Sequence, residues 1–533
     1  MRVAWRPYRW DLGIAALLLL LIAVALAQIL AEEAGIEREE VVIGETPATV
    51  YRPDPADGSP GPVVVVSHGF AGARPLMDPF ALTLAHNGYT VVSFDYLGHG
   101  RHPRPLPGKI TSQEGAAQAL LDQTAAVVAY SRRELPGAAR GLALLGHSMA
   151  TNIIVRYAQQ SGDVTATVAI SMFAPTVDGD TPRNLLSVAG AWEGRLKAEG
   201  REAVAQAAGI ETGQVEPGRT YGDLAAGTAR RTAVAPGVGH VGVLYSEAAQ
   251  REALRWLNGA FGRDSGGWVS GRGPWLALLI AAVIGLARPA SRLLPQVDTQ
   301  PRGAGAGWLR IGWVAGIPAV VTPLLLALVP TDFLPVVVGD YVAVHFGTFG
   351  LLSALLLWWT AGRPPARAVL AAAVGTAPGA GWRLALGALG LLAYCLLVLG
   401  AVLDQFVTGF YPALERLPVM LALLAGMLPY FLTDEWLTRG AGARRGAYPA
   451  TKLLLLVSLS LAIAVGQGLG SQSFLLMIVA LLSVLLLAFF LVYGLFSRWA
   501  YQRAGHPLVA GLGNAVAFAW ALGATFPMLT GSP

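Results

Sequence analysis

The sequence predicts two structural regimes in one chain: a doubly wound α/β domain with a mostly parallel sheet, then an all-α polytopic transmembrane domain. Three observations carry this expectation. The 533 residues are 54% hydrophobic and only 13% charged, against about 25% charged in an ordinary soluble domain, so part of the chain must be solvated by lipid. Residues 31–263 alternate short β-branched runs with helical stretches, punctuated by Gly and Pro. From residue 274 onward the pattern changes to long apolar runs joined by short polar links.

Residues 1–30, MRVAWRPYRWDLGIAALLLLLIAVALAQIL, set arginines ahead of an uncharged run long enough to cross a bilayer as a helix. Two readings are open here. The run exceeds the usual signal-peptide core of about 7 to 15 residues, which favours a retained anchor, while Ala25-Leu26-Ala27 fits a cleavage site. Both readings place the following domain outside the cytoplasm.

Within residues 31–263, EEVVIGETPATVYRP reads as a hairpin and GPVVVVSHGF as a buried strand. DPFALTLAHNGY follows as a helix and TVVSFDYLGHG as the next strand. A long helix is expected over TSQEGAAQALLDQTAAVVAYSRR, with Thr111 or Ser112 as N-cap and Glu114 in its first turn. GLALLGHS is then a strand, MATNIIVRYAQQ a helix, and VTATVAISMF and RNLLSVAG two more strands. EGRLKAEGREAVAQAAG is helical, RRTAVAPGVGH is the last strand, and SEAAQREALRWLNGAF closes the domain as a helix. Strands joined by crossover helices imply a parallel sheet covered on both faces.

A Gly-rich linker, 264–273, leads into residues 274–533, which hold about eight candidate transmembrane helices centred near 280, 320, 346, 393, 426, 461, 485 and 518. The first, PWLALLIAAVIGLA, is short for a span, and 366–379 reads as an interfacial or re-entrant piece. Charge orders these spans. The links around 288–310, 362–369, 438–452 and 497–507 are rich in arginine, whereas PTDFLP, LDQFVTGFYPALERLP and GQGLGSQS are poor in it. With a cytoplasmic N-terminus, one span before the α/β domain and eight after it put every basic link inside and every basic-poor link outside. The α/β domain and the C-terminus are then extracytoplasmic. Asp332, Asp404 and Glu415 fall in external links and Asp434-Glu435 near an internal end, while Asp340 and His345 lie deeper in a span.

The single cysteine, Cys395, excludes an intrachain disulfide framework and a cysteine metal cluster. The formal net charge of +5 resides mostly in the links, where membrane orientation accounts for it, so no nucleic-acid partner is expected.

Four stretches carry chemistry. Gly146-His147-Ser148-Met149-Ala150 resembles the G-x-S-x-G nucleophile elbow of the α/β-hydrolase superfamily, whose sharp strand-to-helix turn needs small residues around the serine. Ala150 replaces the final glycine and adds one methyl. His68-Gly69-Phe70 resembles the family's H-G-x segment, which implies that the Phe70 and Met149 N–H groups form an oxyanion hole and that His68 braces the loop. Asp95, Gly98, His99 and Gly100 resemble its D-x-x-G-H-G stretch and are expected to shape a turn. The resemblance further implies that His240, after the last strand, is the base. Glu193, after the strand before the last crossover helix, is the acid, with Asp178 and Asp180 as rivals and Asp223 a weaker one.

The chain order serine, acid, histidine matches this fold, and the resemblance covers about residues 40 to 262. It is similar to small serine esterases, monoglyceride lipases and serine aminopeptidases. It implies a membrane-embedded serine hydrolase that cleaves an acyl ester, thioester or amide, with no cofactor and no metal. The expected partners are a small-molecule or lipid-like acyl substrate and membrane lipids. Two other readings stay open, a transporter or membrane signalling protein with a hydrolase-like sensing domain, and an acyltransferase. Only a short link separates Met172 from Asn184, where relatives often insert a lid, so access to the site is expected to depend on the membrane or the membrane domain.

Overall fold

The computed structural model describes residues 8–53, 60–108, 115–329, 333–336, 339–375, 379–468 and 473–530. The expected helix-start residues Thr111, Ser112 and Glu114, Asp332, and residues 469–472 of the 466–473 link lie outside the described residues.

After helix α1 (Tyr8–Ala31) the chain forms the hairpin β1 (Ile36–Ile43) and β2 (Thr46–Pro53), paired antiparallel. Strands β3 (Val63–Ser67) and β4 (Thr90–Phe94) flank α2 (Asp78–His86). The two-residue β5 (Leu106–Pro107) precedes α3 (Ala116–Glu134), β6 (Leu142–His147), α4 (Met149–Ser161), β7 (Ala166–Ile170) and β8 (Leu185–Gly190). The unit ends with α5 (Gly194–Ala208), β9 (Thr220–Tyr221), β10 (Arg230–Ala235) and α6 (Glu247–Ala260).

Nine strands make one sheet in the order β1-β2-β4-β3-β6-β7-β8-β10-β9. From β4 to β10 every pairing is parallel, and only the edges are antiparallel. The central strands read VVVVS, TVVSF, LALLGH and ATVAI and are buried along their whole length, as a parallel sheet covered on both faces requires. All the parallel strands end at one edge, and the connections that carry function leave from there. The long third helix begins at Ala116, with Gly115 at its N-cap position.

The remainder is helical: α7 (Arg272–Ala290), α8 (Trp308–Ile311), α9 (Ile317–Leu326), α10 (Gly339–Thr360), α11 (Ala366–Val374), α12 (Ala380–Ala393), α13 (Gly400–Phe406), α14 (Leu417–Thr438), α15 (Ala447–Gly468), α16 (Ser473–Ala504) and α17 (Leu508–Thr525). Short π-helical stretches join α8 to α9 and α12 to α13 into single spans. Among the described residues, nine helices including α1 are long and apolar enough to cross a membrane. Each expected span centre has such a helix. The span that looked short runs from Arg272 to Leu293, because Pro274 falls in its first turn, where a missing N–H costs nothing, and Pro289 falls in its last. The 366–379 piece contributes α11, a short helix with no buried residue.

The links sort to two ends of the bundle. At one end, the N–H groups of Val297 and Asp298 donate to the Ala504 carbonyl at 2.9 and 3.0 Å, and Gly305 donates to Arg439 at 2.8 Å. Tyr501 donates to the Arg302 carbonyl at 2.8 Å. Arginine-rich links therefore share that end. At the other end, residues 404–416 and 526–530 meet the sheet unit, and the Pro335 carbonyl accepts from the Leu529 N–H at 2.9 Å. Helix α1 packs on α7 and pairs Asp11 with Arg292 at 3.1 Å. Where α1 ends and α7 begins, Arg272 reaches Glu32, Glu33 and Asp78, each at 3.4 Å, fastening both helices to α2.

Several charges inside the bundle are paired. Lys452 contacts Asp434, Arg439 binds Glu435 at 3.0 Å, and Ser497 donates to Glu435 at 2.5 Å. His345 meets the Ser458 hydroxyl at 2.9 Å, and Asp340 accepts from the Phe333 and Tyr341 N–H groups at 2.8 Å. These contacts offset the cost of polar groups at membrane depth. Helix packing is closest where α10 crosses α14: a side chain on Gly426 would lie 2.1 Å from the Ala343 carbonyl oxygen, and one on Gly350 would lie 2.2 Å from Tyr430 N. Gly426→Leu should therefore lower the thermal midpoint in detergent, by at least the 1 to 3 kcal/mol (roughly) of ordinary overpacking. Gly316→Ala, which meets nothing within 4 Å, should leave the midpoint unchanged or raise it. A Gly426→Leu midpoint equal to wild type would contradict the crossing.

Candidate active site

Strand β6 delivers Ser148. Its backbone has φ 54° and ψ −117°, a conformation that a serine adopts only under constraint from its surroundings. Its N–H donates to the Ile170 carbonyl of neighbouring β7 at 2.9 Å, and α4 starts at the next residue. A side chain on Gly146 would sit 3.2 Å from the Ala150 Cβ. The methyl of Ala150 thus fills room that Gly146 leaves, and the departure from glycine at that position is accommodated.

Two loops bring the partners. After β8, the N–H groups of Ala191 and Trp192 donate to the carbonyls of Ala235 and Val238 at 2.9 and 3.1 Å, stitching this loop to the one after β10. Gly190 must be glycine for this approach, since a side chain there would lie 2.5 Å from the Val238 oxygen. The stitched loops set His240 between Ser148 and Glu193. The Ser148 hydroxyl donates to His240 Nε2 at 2.9 Å, and His240 Nδ1–H donates to Glu193 Oε1 at 2.6 Å. The other oxygen, Glu193 Oε2, accepts from the Ser171 hydroxyl at 2.8 Å and from the Gly190 N–H at 2.6 Å. The histidine tautomer follows from this pattern of donors and acceptors.

The other sequence candidates lie elsewhere. Asp178 is exposed and accepts from the Asp180 N–H and from Thr181, closing its own turn. Asp180 is also exposed, and Asp223 binds the Ala226 N–H at 2.8 Å. His68 is fully buried with both ring nitrogens occupied: Nδ1–H donates to the Gly69 carbonyl at 2.8 Å and Nε2 accepts from the Tyr96 N–H at 3.1 Å. It braces the loop. Asp95 accepts from the Arg74 N–H at 2.9 Å and the Arg101 N–H at 3.1 Å, holding the following turn. Phe70 follows Gly69, where a side chain would lie 3.0 Å from the Ser148 Cβ, so the loop before Phe70 packs directly on the serine.

His147 has a place that sequence reasoning did not single out. Its Nε2–H donates to the His240 carbonyl at 2.9 Å, and the two rings lie 4.8 Å apart. Burial, together with the neighbouring His240, pushes its pKa down to about 3, so the ring is neutral. Its position beside Ser148 was the only sequence signal.

The sheet order and the strand-to-helix serine turn give this unit an α/β-hydrolase fold. Residues 58–208, which include Ser148 and Glu193 but not His240, match the family model described as "Serine aminopeptidase, S33". Among solved structures, a predicted CIB-like hydrolase from Thermoplasma acidophilum is 15% identical with a TM-score of 0.30, over 41% of this chain and 94% of that one. Dienelactone hydrolase from Anabaena variabilis is 17% identical with a TM-score of 0.31, over 42% of this chain and 97% of that one. No curated protein matches the chain.

Burial pushes Glu193 upward, but the hydrogen bonds from His240, Gly190 and Ser171 outweigh it and hold its carboxyl below the usual value. A carboxylate depressed in this way contributes stability above its unfolded pKa, and the contribution is lost as pH falls through the folded value. Below about pH 5, as the pH falls through the ordinary glutamate value of about 4.3 and on toward the lower folded value, the thermal midpoint of wild type should therefore drop further than that of Glu193→Gln. Parallel acid profiles for the two proteins would show that Glu193 is not held ionised by these contacts.

Proposed function

We propose that the chain is a multi-pass membrane serine hydrolase that cleaves an acyl ester, thioester or amide through a covalent acyl-enzyme. The observation that carries this reading is the unbroken relay from Ser148 through His240 to Glu193, at 2.9 and 2.6 Å. Ser148 Oγ attacks the substrate carbonyl carbon and passes its proton to His240 Nε2. The carbonyl oxygen takes up negative charge opposite the N–H groups of Phe70 and Met149. As the tetrahedral intermediate collapses, the bond to the leaving group breaks, and the protonated His240 gives that group its proton. Water then attacks the acyl-serine, with His240 again taking a proton and returning it to Ser148. Glu193 holds the imidazole tautomer and offsets the charge on the imidazolium. Asp178 and Asp180 have no part in this scheme.

A lipid or lipid-linked acyl group is the favoured substrate class. Trp192, Phe173 and Val241, which adjoin Glu193, the start of α4 and His240, are 76%, 44% and 50% exposed. Such aromatic and aliphatic exposure beside a nucleophile suits an amphiphile presented at a membrane. No helix lies between β7 and β8 among the described residues, so no local lid covers this rim.

The proposed topology puts the sheet unit outside the cytoplasm with α1 retained as the first span. Its support is that basic links share one bundle end while the basic-poor links that are described share the other, against the sheet unit. A membrane-impermeant maleimide should label a cysteine placed at Asp264 in intact cells and leave one placed at Ala443 unlabelled until the membrane is opened. The reverse pattern would overturn the orientation.

Membranes carrying the protein should be labelled by a fluorophosphonate probe, and Ser148→Ala and His240→Ala should each lose the signal, a fall of at least about 10³-fold in rate. An unlabelled wild type of native thermal midpoint would favour the sensing-domain reading. With labelling established, product analysis in the presence of an added alcohol or amine separates hydrolysis from acyl transfer.

A further inference from the structure

The turn after β4 is held by the helical bundle as much as by its own sheet. The carbonyl of Gly98 accepts from Arg416 Nη2 and from the Met528 N–H, the latter at 3.0 Å. Leu106 N–H donates to the Met528 carbonyl at 2.8 Å, and β5 pairs in parallel with the C-terminal strand β11 (Leu529–Thr530). A side chain on Gly98, whose φ is +74°, would lie 2.4 Å from the Met528 oxygen. Arg101 pairs with Asp404 at the same junction.

Arg416 is 1% exposed and, among the described residues, makes no ion pair. Its Nη1 donates to the carbonyls of Gly523 and Phe526 at 3.0 and 2.7 Å. A guanidinium buried among backbone carbonyls is a costly way to stabilise a fold. What it provides is geometry, since one planar group joins the start of α14, the end of α17 and the Gly98 turn. The Phe526 ring in turn stands edge-on to Phe70, with centroids 6.5 Å apart, and Phe70 packs on His99 of the Gly98 turn at 5.9 Å. Phe70 is thereby gripped between the turn and the end of the last span.

We propose that Arg416 and Phe526 are positioning residues for the oxyanion hole, so that the membrane bundle completes the active site in addition to anchoring it. The inference rests on the reading of Ser148 as nucleophile and of the Phe70 N–H as oxyanion donor. Arg416 fixes Phe526 and the Gly98 turn, and these two fix the loop that presents the Phe70 N–H. The energetic burden of the chain of contacts falls on orientation, where a displacement near an ångström costs on the order of 100-fold in rate.

The test uses full-length protein in lipid nanodiscs and the fluorophosphonate probe, whose phosphoryl oxygen develops charge in the same hole. The plateau of labelling reports the folded fraction, and the second-order rate constant reports the geometry of the site. Phe526→Ala should keep the plateau while its rate constant falls about 10- to 100-fold, with the loss in the limiting rate and not in probe affinity. Phe526→Leu, which restores most of the bulk, should recover to within about threefold of wild type. Arg416→Met should act in the same direction, and Phe526 carries the test if that variant does not fold. Phe526→Ala with the wild-type rate constant, or with a loss confined to the plateau, would overturn the inference while leaving Ser148 as nucleophile. Absence of labelling in folded wild type would overturn the hydrolase reading itself.

Discussion

The parallel register of β3, β4, β6, β7, β8 and β10 is the constraint on which the rest of the molecule depends. In a parallel sheet all carboxyl ends lie on one edge, so loops distant in sequence emerge side by side. Ser148, Glu193 and His240 belong to three such loops, and the Phe70 loop and the Gly98 turn to two more. A shift of register in β8 or β10 would carry Glu193 or His240 out of reach, because the loops are stitched to each other by the backbone bonds at Ala191 and Trp192. The geometry of this cluster and the sheet pairing are one problem here.

The same edge carries the junction with the bundle, which is an unusual demand on it. A tether would need one helix and a flexible linker. This chain instead meets the Gly98 turn with backbone from residues 526–530, packs Gly409 against Gly100 so closely that a side chain would lie 3.0 Å from its Cα, and buries Arg416 between them. Interfaces of backbone against backbone do not tolerate sliding. The junction is therefore packed like part of a core.

Inside the bundle, several polar groups have local partners, while the buried side chains of Asn514, Thr322 and Ser353 have none among the described residues. Lys452 with Asp434, and Arg439 with Glu435 and Ser497, lie near the end that holds the arginine-rich links, and His345 has Ser458 as its partner. The deep residues that the sequence marks, Asp340, His345, Asp434 and Glu435, thus each have hydrogen-bond or ion-pair partners.

Much of this was legible in the sequence because its causes are local. Apolar runs of bilayer length, β-branched strands of five or six residues, a Gly-His-Ser turn and the asymmetry of arginine among links each depend on neighbours along the chain, so helices, strands, spans and the serine turn follow from composition and spacing. The span at Arg272–Leu293 looked short in sequence because its prolines lie near the ends, where proline is tolerated in a helix's first turn. The choice of Glu193 over Asp178 and Asp180 was open at that level, since all three carboxylates follow strands at plausible distances. Only the tertiary structure shows that Glu193 is the one that meets His240, because reaching that ring depends on where two loops are joined in space. The same holds for His147, Arg416 and Phe526: their partners are 93, 318 and 456 residues away along the chain, and no local pattern encodes a contact across that separation.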